Sequence, residues 1–220
     1  MNFFSFFNTL VRSLLILAGI GLLSGNSWAK SAPTSKKGAS KMVVVVMEVE
    51  IGKTQKGTIE IELNSEKAPL SVANFLGYVD SNFYDGVVFH RVIPQFMIQG
   101  GGFTPNLKQK PTKAEIKNES TNGLKNDRGT IAMARTSAPH SATSQFYINH
   151  ADNDSLNFRP PNSWGYAVFG KVISGMEWVD KIAIVKRGAS KQFQQDVPQE
   201  TVLIKSIRRK TGAKATPPPA

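Results

Sequence analysis

The pattern of hydrophobic and polar positions between residues 42 and 208 is dominated by short strands. Residues 42–51 are rich in valine, and in residues 57–63 isoleucine and leucine alternate with glutamate. Such alternation is typical of a strand with one buried face. Six further strands are predicted at residues 87–93, 96–99, 130–135, 145–149, 167–173 and 202–207.

Two segments have the spacing of amphipathic helices. Pro69 suits a first helical position, and the apolar residues that follow it at i, i+3, i+4 and i+7 are Val72, Phe75, Leu76 and Val79. The second helix is predicted to begin with a capping box formed by Ser174 and Glu177. Its inward face comprises Met176, Val179, Ile182 and Ala183. Eight strands and two helices predict a mainly β fold, a closed eight-stranded antiparallel barrel capped by two α-helices.

The first residues predict an export signal rather than part of the fold. Arg12 precedes an uncharged run at 14–23, and small residues at Ser27 and Ala29 suit a signal peptidase. The run is shorter than the roughly 20 residues of a comfortable transmembrane helix. We therefore expect a cleavable signal peptide at 1–29 and a periplasmic protein. Phenylalanines upstream of Arg12 extend the apolar character, so an uncleaved inner-membrane anchor, or secretion further out, stays open.

The rest of the chain divides into three parts. Residues 30–41 are small, polar and basic, and are expected to form a flexible linker. Residues 42–208 form the single predicted domain. Residues 209–220 end in three prolines and predict a disordered tail.

Composition narrows the possible chemistry. The 220 residues contain no cysteine, which excludes disulfides, thiolate metal sites and cysteine nucleophiles. The net charge of +11 raises nucleic acid as a partner, but the basic residues cluster only at 36–37 and 208–210. A nucleic-acid site needs a clustered basic stripe, so we expect no nucleic-acid partner.

No common catalytic motif is present. His90, His140 and His150 have no metal-binding spacing, and no serine lies in a G-x-S-x-G elbow. The glycines at 100–102 lack the Gly-Lys-Ser/Thr of a phosphate loop and predict a tight turn after a strand. We therefore expect no metal and no cofactor. His90 lies inside an apolar strand, where a hydrogen-bonded structural histidine is expected.

Two segments mix polar groups with large apolar side chains. FHRVIPQFMIQGG, residues 89–101, places Arg91 in an apolar run, where a buried guanidinium is costly without a partner. Either a carboxylate distant in sequence pairs with Arg91, or the arginine serves a site. GTIAMARTSAPHSATSQFYINH, residues 129–150, repeats the mixture and suits an apolar pocket with a few hydrogen-bond donors.

Together these segments resemble the cyclophilins, which are peptidyl-prolyl cis-trans isomerases. The matching stretches are FHRVIPQFMIQGG, GTIAMAR, SATSQFYIN and GYAVFGKV, in the family's order and spacing. GTIAMAR and SATSQF resemble the bacterial branch, including periplasmic members. The resemblance implies the same barrel, an external groove for a proline-containing segment, and isomerase activity that speeds folding of exported proteins without covalent chemistry. A non-catalytic proline-binding chaperone or adhesion module is the alternative.

The resemblance also implies a role for each matching residue. Arg91 corresponds to the catalytic arginine, and Gln99 to a donor to the substrate backbone. The residues corresponding to the proline pocket are Phe96, Met97, Tyr147 and Leu156. Ala134 and Arg135 correspond to the residues flanking the one before proline, and Gln145 and Tyr166 to the rim.

Departures from the family pattern carry their own expectations. Ser155 stands where many eukaryotic members have a tryptophan important for cyclosporin, so weak cyclosporin binding is expected. Tyr166 replaces a common histidine and Arg135 an asparagine, as in bacterial relatives.

The stretch NFRPPNSW, residues 157–164, has no close counterpart in the family pattern. It is either a surface loop or a cover in which Phe158 or Trp164 folds over the groove. We expect a monomer.

Overall fold

The computed structural model describes residues 42–193 and 195–210. The predicted signal peptide and linker, and residues 211–220 of the predicted tail, lie outside the described residues. Within the described part of the chain, no helix is long and apolar enough to cross a membrane.

The described residues form ten strands, two α-helices and two short 3-10 helices. The strands are β1 Val43–Ile51, β2 Gln55–Leu63, β3 Val87–Ile93, β4 Met97–Phe103, β5 Thr130–Met133, β6 Phe146–Asn149, β7 Val168–Ser174, β8 Arg187–Gly188, β9 Val197–Pro198 and β10 Val202–Arg209. The helices are α1 Pro69–Val79 and α2 Met176–Ala183, and the 3-10 helices are Ser120–Asn122 and Asp154–Leu156.

Eight of the strands close into an antiparallel barrel in the order β1-β10-β3-β4-β6-β5-β7-β2. These are the eight predicted strands, and β3 has the predicted bounds. The predicted fold class, an antiparallel barrel with two helices, is confirmed. β10 runs to Arg209, one residue past the predicted end of the domain, and the Lys210 N–H donates to the Val44 carbonyl at 2.8 Å.

The barrel interior holds the main hydrophobic core. Inward residues of the strands, such as Ile61 and Ile98, are fully buried there. Both helices add side chains to this core, with Phe75 from α1 and Val179 and Ile182 from α2. The predicted inward faces of the two helices are confirmed, although Met176 is only half-buried.

The start of α2 differs from the prediction. Ser174 is the last residue of β7 and pairs with Glu60 of β2, so its backbone belongs to the sheet. The helix is preceded by Gly175, whose φ is +87°, and no side chain caps the helix. A Cβ at Gly175 would lie 2.1 Å from the Thr58 carbonyl oxygen. The capping-box prediction was wrong because this tight strand-to-helix turn requires glycine.

A second small sheet lies outside the barrel and was not predicted. β8 and β9 pair antiparallel, with Arg187 opposite Pro198 and Gly188 opposite Val197. The Val92 N–H of β3 donates to the Asp196 carbonyl at 2.9 Å. This hydrogen bond attaches the small sheet to the strand that carries Arg91.

Candidate active site

A row of residues crosses four neighbouring strands on the outside of the barrel. Arg91 of β3 is paired with Gln99 of β4, Gln99 with Tyr147 of β6, and Tyr147 with Ala132 of β5. Residues paired across antiparallel strands share one face of the sheet. The ladder therefore sets Arg91 and Gln99 side by side, with Tyr147 next in the row.

An irregularity in β3 places Arg91 on this outer face. Phe89 and Val92 both belong to the barrel core, with two residues between them instead of the one that strict alternation allows. The pairing of β3 with β4 shifts between Phe89 and Arg91. A bulge of this kind lets His90 and Arg91 both lie outside the barrel.

Arg91 has one carboxylate near it, and that carboxylate is shared. Arg91 Nε lies 3.9 Å from Asp196 Oδ2, and Arg187 Nε lies 3.4 Å from Asp196 Oδ1. The Arg91 side chain is 44% exposed, whereas that of Asp196 is 13% exposed. A carboxylate distant in sequence therefore does face Arg91, as one alternative predicted. The distance exceeds that of a hydrogen bond, so the guanidinium keeps donors for a ligand.

A second apolar cluster lies on the outer face, apart from the barrel core. Its buried members are Met97, Ala132, Ala134, Tyr147 and Val168. Half-buried side chains packed against them are Ile93, Phe96, Leu124, Leu156 and Tyr166. We call this set the groove cluster. It brings together all four residues predicted to line a proline pocket, along with Ala134, predicted to flank the residue before proline, and Tyr166 from the predicted rim.

Two glutamines connect the row to the groove cluster. Gln99 Nε2 donates to Gln145 Oε1 at 3.0 Å. The Ala134 N–H donates to the Gln145 carbonyl at 3.0 Å. Gln145 therefore bridges from Gln99, the neighbour of Arg91, to Ala134 in the cluster.

Arg135 is fixed against the aromatic side of the site. Its Nε donates to the Gly165 carbonyl at 3.1 Å, and its Nη1 donates to the Thr136 carbonyl at 2.8 Å. The guanidinium lies 4.3 Å from the centre of the Tyr166 ring, a cation–π distance. All ten predicted site residues thus lie on one outer face of the barrel or along its edge.

Sequence reasoning missed the asparagines that support the groove cluster. Asn126 is buried, and its Oδ1 accepts the Tyr147 hydroxyl at 2.7 Å. Its Nδ2 donates to the Leu156 carbonyl at 3.2 Å. Asn153 Nδ2 donates to the Phe96 carbonyl at 2.8 Å. Three residues of the groove cluster are therefore hydrogen-bonded to the side-chain amides of two buried asparagines.

Burial also fixes the protonation of one wall residue. Desolvation raises the pKa of Tyr147 well above its usual value, and Tyr166 adds to the rise while Arg135 opposes it. The Tyr147 hydroxyl therefore stays protonated at any physiological pH and can donate to Asn126. The only sequence signal for this support was the recurrence of asparagine in KND at 125–127 and INHADN at 148–153.

The stretch 157–164 forms a loop beside the groove cluster. Arg159 and Ser163 form an isolated bridge across it. Trp164 is 50% exposed, and its ring lies 5.1 Å from that of His140. Neither Phe158 nor Trp164 belongs to the groove cluster, which favours the surface-loop interpretation over a cover.

His90 is a buried structural residue. Its ring lies 4.6 Å from Phe103 and 5.5 Å from Phe193, and its Nδ1 has no hydrogen-bond partner among the described residues. Burial and then the charge of Arg91 lower the pKa of His90 to about 4. A structural histidine is therefore found as predicted: a backbone hydrogen bond with Val88 partly opposes the lowering of its pKa, and aromatic packing surrounds the ring.

Comparison with known proteins identifies the family. Residues 46–209 match the family model described as "Cyclophilin type peptidyl-prolyl cis-trans isomerase/CLD". The chain belongs to the cyclophilin family of peptidyl-prolyl cis-trans isomerases. It is an isomerase, as predicted.

Relatives of this cyclophilin include bacterial enzymes. A peptidyl-prolyl cis-trans isomerase of Acinetobacter baylyi is 59% identical over 72% of this chain and 84% of the relative. Peptidyl-prolyl cis-trans isomerase B of Escherichia coli is 57% identical over 70% of this chain and 94% of the relative. A cyclophilin crystal structure from Cryptosporidium parvum, obtained in the presence of the dipeptide Ala-Pro, matches with a TM-score of 0.63 and 27% identity. That match covers 77% of this cyclophilin and 99% of the other chain.

The described residues hold no group of three or more histidine or acidic side chains placed to bind a metal ion. This cyclophilin acts on proline-containing peptides, and its groove cluster, glutamines and arginine lie together on the face that the motifs indicated.

Proposed function

We propose that this cyclophilin speeds the folding of exported proteins by binding the twisted state of an X–Pro bond in the groove. The observation that carries the proposal is the position of Arg91. It lies beside Gln99 on the outer face, next to the groove cluster, and is only loosely paired with Asp196. A cation is thereby available beside the groove cluster.

The energy required is modest. Rotation about a peptide bond has a barrier of about 18–20 kcal/mol, and a barrier of about 20 kcal/mol corresponds to about 0.01 per second. An ordinary turnover of about 10 per second is three decades faster, which needs about 4 kcal/mol of differential stabilisation. No bond is made or broken, so neither a nucleophile nor a proton relay is needed.

Arg91 can supply much of this stabilisation. When the X–Pro bond twists, amide resonance is lost and the prolyl nitrogen regains a lone pair that accepts a hydrogen bond. A hydrogen bond from a charged donor contributes about 1.5–3 kcal/mol. The ring of the proline rests against Phe96, Met97 and Leu156, where exclusion of water strengthens the bond from the guanidinium. The planar fork of arginine stays charged and donates in two directions at once.

The polar rim would hold the substrate backbone. Gln99 donates to the substrate main chain once its side chain leaves the bond with Gln145, and the main chain of Ala134 and Arg135 flanks the residue before proline. This part of the proposal is supported by the contact between Gln99 and Gln145 and by the bond from Ala134 to Gln145.

We infer weak cyclosporin binding and a monomeric protein acting after export to the periplasm. The described residues contain two tryptophans: Trp164 packs on His140, and the Trp178 ring lies 4.2 Å from Lys181 Nζ. Neither belongs to the groove cluster. Ser155, which precedes Leu156 of that cluster, stands in the position of the family's cyclosporin-binding tryptophan. Submicromolar inhibition by cyclosporin contradicts this inference. Export is supported by the signal-like sequence at 1–29, and N-terminal sequencing of the native protein tests it.

Replacement of Arg91 tests the proposed mechanism. We expect Arg91→Ala to lower kcat/KM at least about a hundredfold in an exchange-NMR assay, close to the energy of one charge-assisted hydrogen bond. Arg187→Ala is the matched control, because Arg187 shares Asp196 with Arg91 but lies on the small outer sheet. It should keep most of the activity. An Arg91→Ala enzyme with near-normal kcat/KM rules out this role.

A further inference from the structure

The turn between β3 and β4 carries Phe96 and is strained. Gln95 has a φ of +59°, a left-handed conformation that costs a residue other than glycine about 1–2 kcal/mol. Within the turn, the Phe96 N–H donates to the Ile93 carbonyl at 3.1 Å. Such a conformation persists when surrounding groups hold it. The position of Phe96 therefore depends on what holds this turn.

His150 contacts the turn at two points. The His150 N–H donates to the Phe96 carbonyl at 2.9 Å. The Gln95 N–H donates to His150 Nδ1, also at 2.9 Å. The second bond uses the strained residue itself and depends on the side chain of His150.

The far side of the imidazole is anchored to α2. His150 Nε2 lies 3.1 Å from Asp180 Oδ1, and the histidine is 6% exposed. Arg128 binds both oxygens of Asp180 and donates from Nη1 to the His150 carbonyl at 2.6 Å. The Arg128 N–H in turn donates to Asp152 at 2.8 Å. The charged groups facing the ring are thus Asp180 of α2, Arg128 before β5 and Asp152 after β6.

This arrangement specifies one form of the imidazole. Because Nδ1 accepts the Gln95 N–H, it carries no proton, and the single ring proton lies on Nε2 towards Asp180. A second proton on Nδ1 places an N–H against the N–H of Gln95. The bond to the strained residue Gln95 is then lost, while the bonds to the Phe96 carbonyl remain.

We propose that His150 is a positioning residue for substrate binding: its Nδ1 accepts the Gln95 N–H and fixes the Gln95–Phe96 turn, and loss of this acceptor weakens binding of the prolyl ring. The proposal rests on the proposed role of Phe96 as a wall of the proline pocket. Arg91 lies outside the turn and is held in the ladder between β3 and β4 by its pairing with Gln99, so the effect falls on KM and not on kcat.

Two substitutions distinguish the two hydrogen bonds of the His150 imidazole, one with the Gln95 N–H and one with Asp180. In His150→Asn the amide oxygen of the new side chain takes the place of Nδ1 and keeps the acceptor for the Gln95 N–H. In His150→Gln the longer amide keeps a donor towards Asp180 and loses that acceptor. At pH 8 we expect His150→Gln to raise KM about fivefold, the effect of losing one hydrogen bond, with kcat unchanged. His150→Asn should restore KM to within about twofold of the parent.

His140→Gln is the matched control. The Asn118 N–H donates to His140 Nδ1 at 3.1 Å, so the same kind of bond is removed at a loop that does not contact Phe96. We expect no change in KM. An equal rise in KM for His140→Gln and His150→Gln overturns the proposal, because it shows a general loosening of loops.

Histidine-ring NMR gives a second readout. The ring of His150 should carry its proton on Nε2 and none on Nδ1, as the contacts with Gln95 and Asp180 require. Circular dichroism confirms that the His150 and His140 variants remain folded. A proton on Nδ1, or a KM for His150→Gln equal to that of the parent, overturns the proposal.

Phe96→Ala distinguishes failure of this inference from failure of the proposed function. If Phe96→Ala raises KM but His150→Gln does not, the groove binds proline as proposed and His150 does not position it. If Phe96→Ala leaves KM unchanged, Phe96 does not contact the prolyl ring, and both proposals lose their basis.

Discussion

The barrel core and the groove cluster are both apolar, but they are held in place differently. In the core, Phe75 packs among Tyr84, Phe146 and Phe169 with ring centres 5.3–5.6 Å apart. In the groove cluster, Tyr147, Leu156 and Phe96 are each held by a hydrogen bond to a buried asparagine. The interior thus depends on side-chain packing, whereas the groove depends on specific polar contacts behind its walls.

This difference predicts that mutations in the barrel core will lower stability, whereas mutations of the supporting asparagines will also change substrate binding. A core residue touches many neighbours, so its loss lowers the free energy of unfolding without redirecting any one groove wall. The side-chain amide of Asn126 or Asn153 contacts few groups, and its loss changes the position of the groove-cluster residue that it binds. The four predictions below test this separation, from the largest expected effect to the smallest.

Phe75→Ala should lower the free energy of unfolding by about 3–5 kcal/mol, because it empties a fully buried aromatic site. Urea unfolding followed by circular dichroism measures the change. The folded fraction should keep kcat and KM within about twofold of the parent, since no groove wall loses its support. A large rise in KM for Phe75→Ala would contradict the proposed difference between the barrel core and the groove cluster.

His90 should make the protein less stable in acid. Its pKa is about 4 in the folded protein against an ordinary value of 6.5, so the unfolded chain takes up the proton first. Stability therefore falls as pH drops from about 6.5 to about 4, by about 2–3 kcal/mol in all. His90→Leu should flatten that part of the stability profile in urea unfolding at stepped pH. If the free energy of unfolding of His90→Leu depends on pH as steeply as that of the parent, His90 does not cause the loss of stability in acid.

Asn126→Ala should affect both stability and binding. It leaves the Tyr147 hydroxyl and the Leu156 carbonyl without their partner, which costs about 1–3 kcal/mol. We also expect KM to rise about tenfold, because two walls of the groove lose their support. Asn74→Ala is the control: Asn74 Nδ2 donates to the Thr143 carbonyl at 2.6 Å, away from the cluster. It should lower stability alone, and an equal rise in KM contradicts the comparison.

Arg209→Ala should have the smallest effect. Arg209 binds Asp80 through two bonds at 2.7 Å, but both side chains are about half exposed, so the loss is under about 1 kcal/mol. The bond to Arg209 lowers the pKa of Asp80, so the pair contributes above about pH 4 and is lost as pH falls through the lowered pKa. Thermal unfolding at pH 7 and pH 3 measures this. A rise in KM would contradict it.

The sequence predicts the barrel well and its attachments poorly. Alternation in β2 and the apolar run of β3 reveal strands because a barrel buries one face of each strand. β8 and β9 have two residues each, too few to show any period. The capping box failed because Ser174 belongs to the end of β7 and Gly175 forms the turn into α2, so Ser174 does not cap the helix that contains Glu177.

The site was predictable only in part. The motif segments located Arg91, Gln99 and the apolar walls through the family resemblance, and the structure brings these residues together. Alternation alone assigns Arg91 to the face of Phe89, because a one-residue bulge leaves no periodic signal. Asp196 and Asn126 reach the site from other parts of the chain, so no local pattern joins them to it.

The basic residues at 208–210 could not be assigned a role from the sequence either. In the structure they bind Asp85, Asp80 and Glu60.

The pairing of β1 with β10 has a consequence for how the chain folds. Val45 lies opposite Arg209 and Ile51 opposite Val202, so the first strand of the barrel completes its hydrogen bonds only with the last strand of the barrel. The sheet stays open along this seam until β10 has left the ribosome. Closure over so long a separation makes folding slow compared with that of a helical protein of similar size. This prolyl isomerase thus closes its own barrel only after all eight barrel strands have been synthesised.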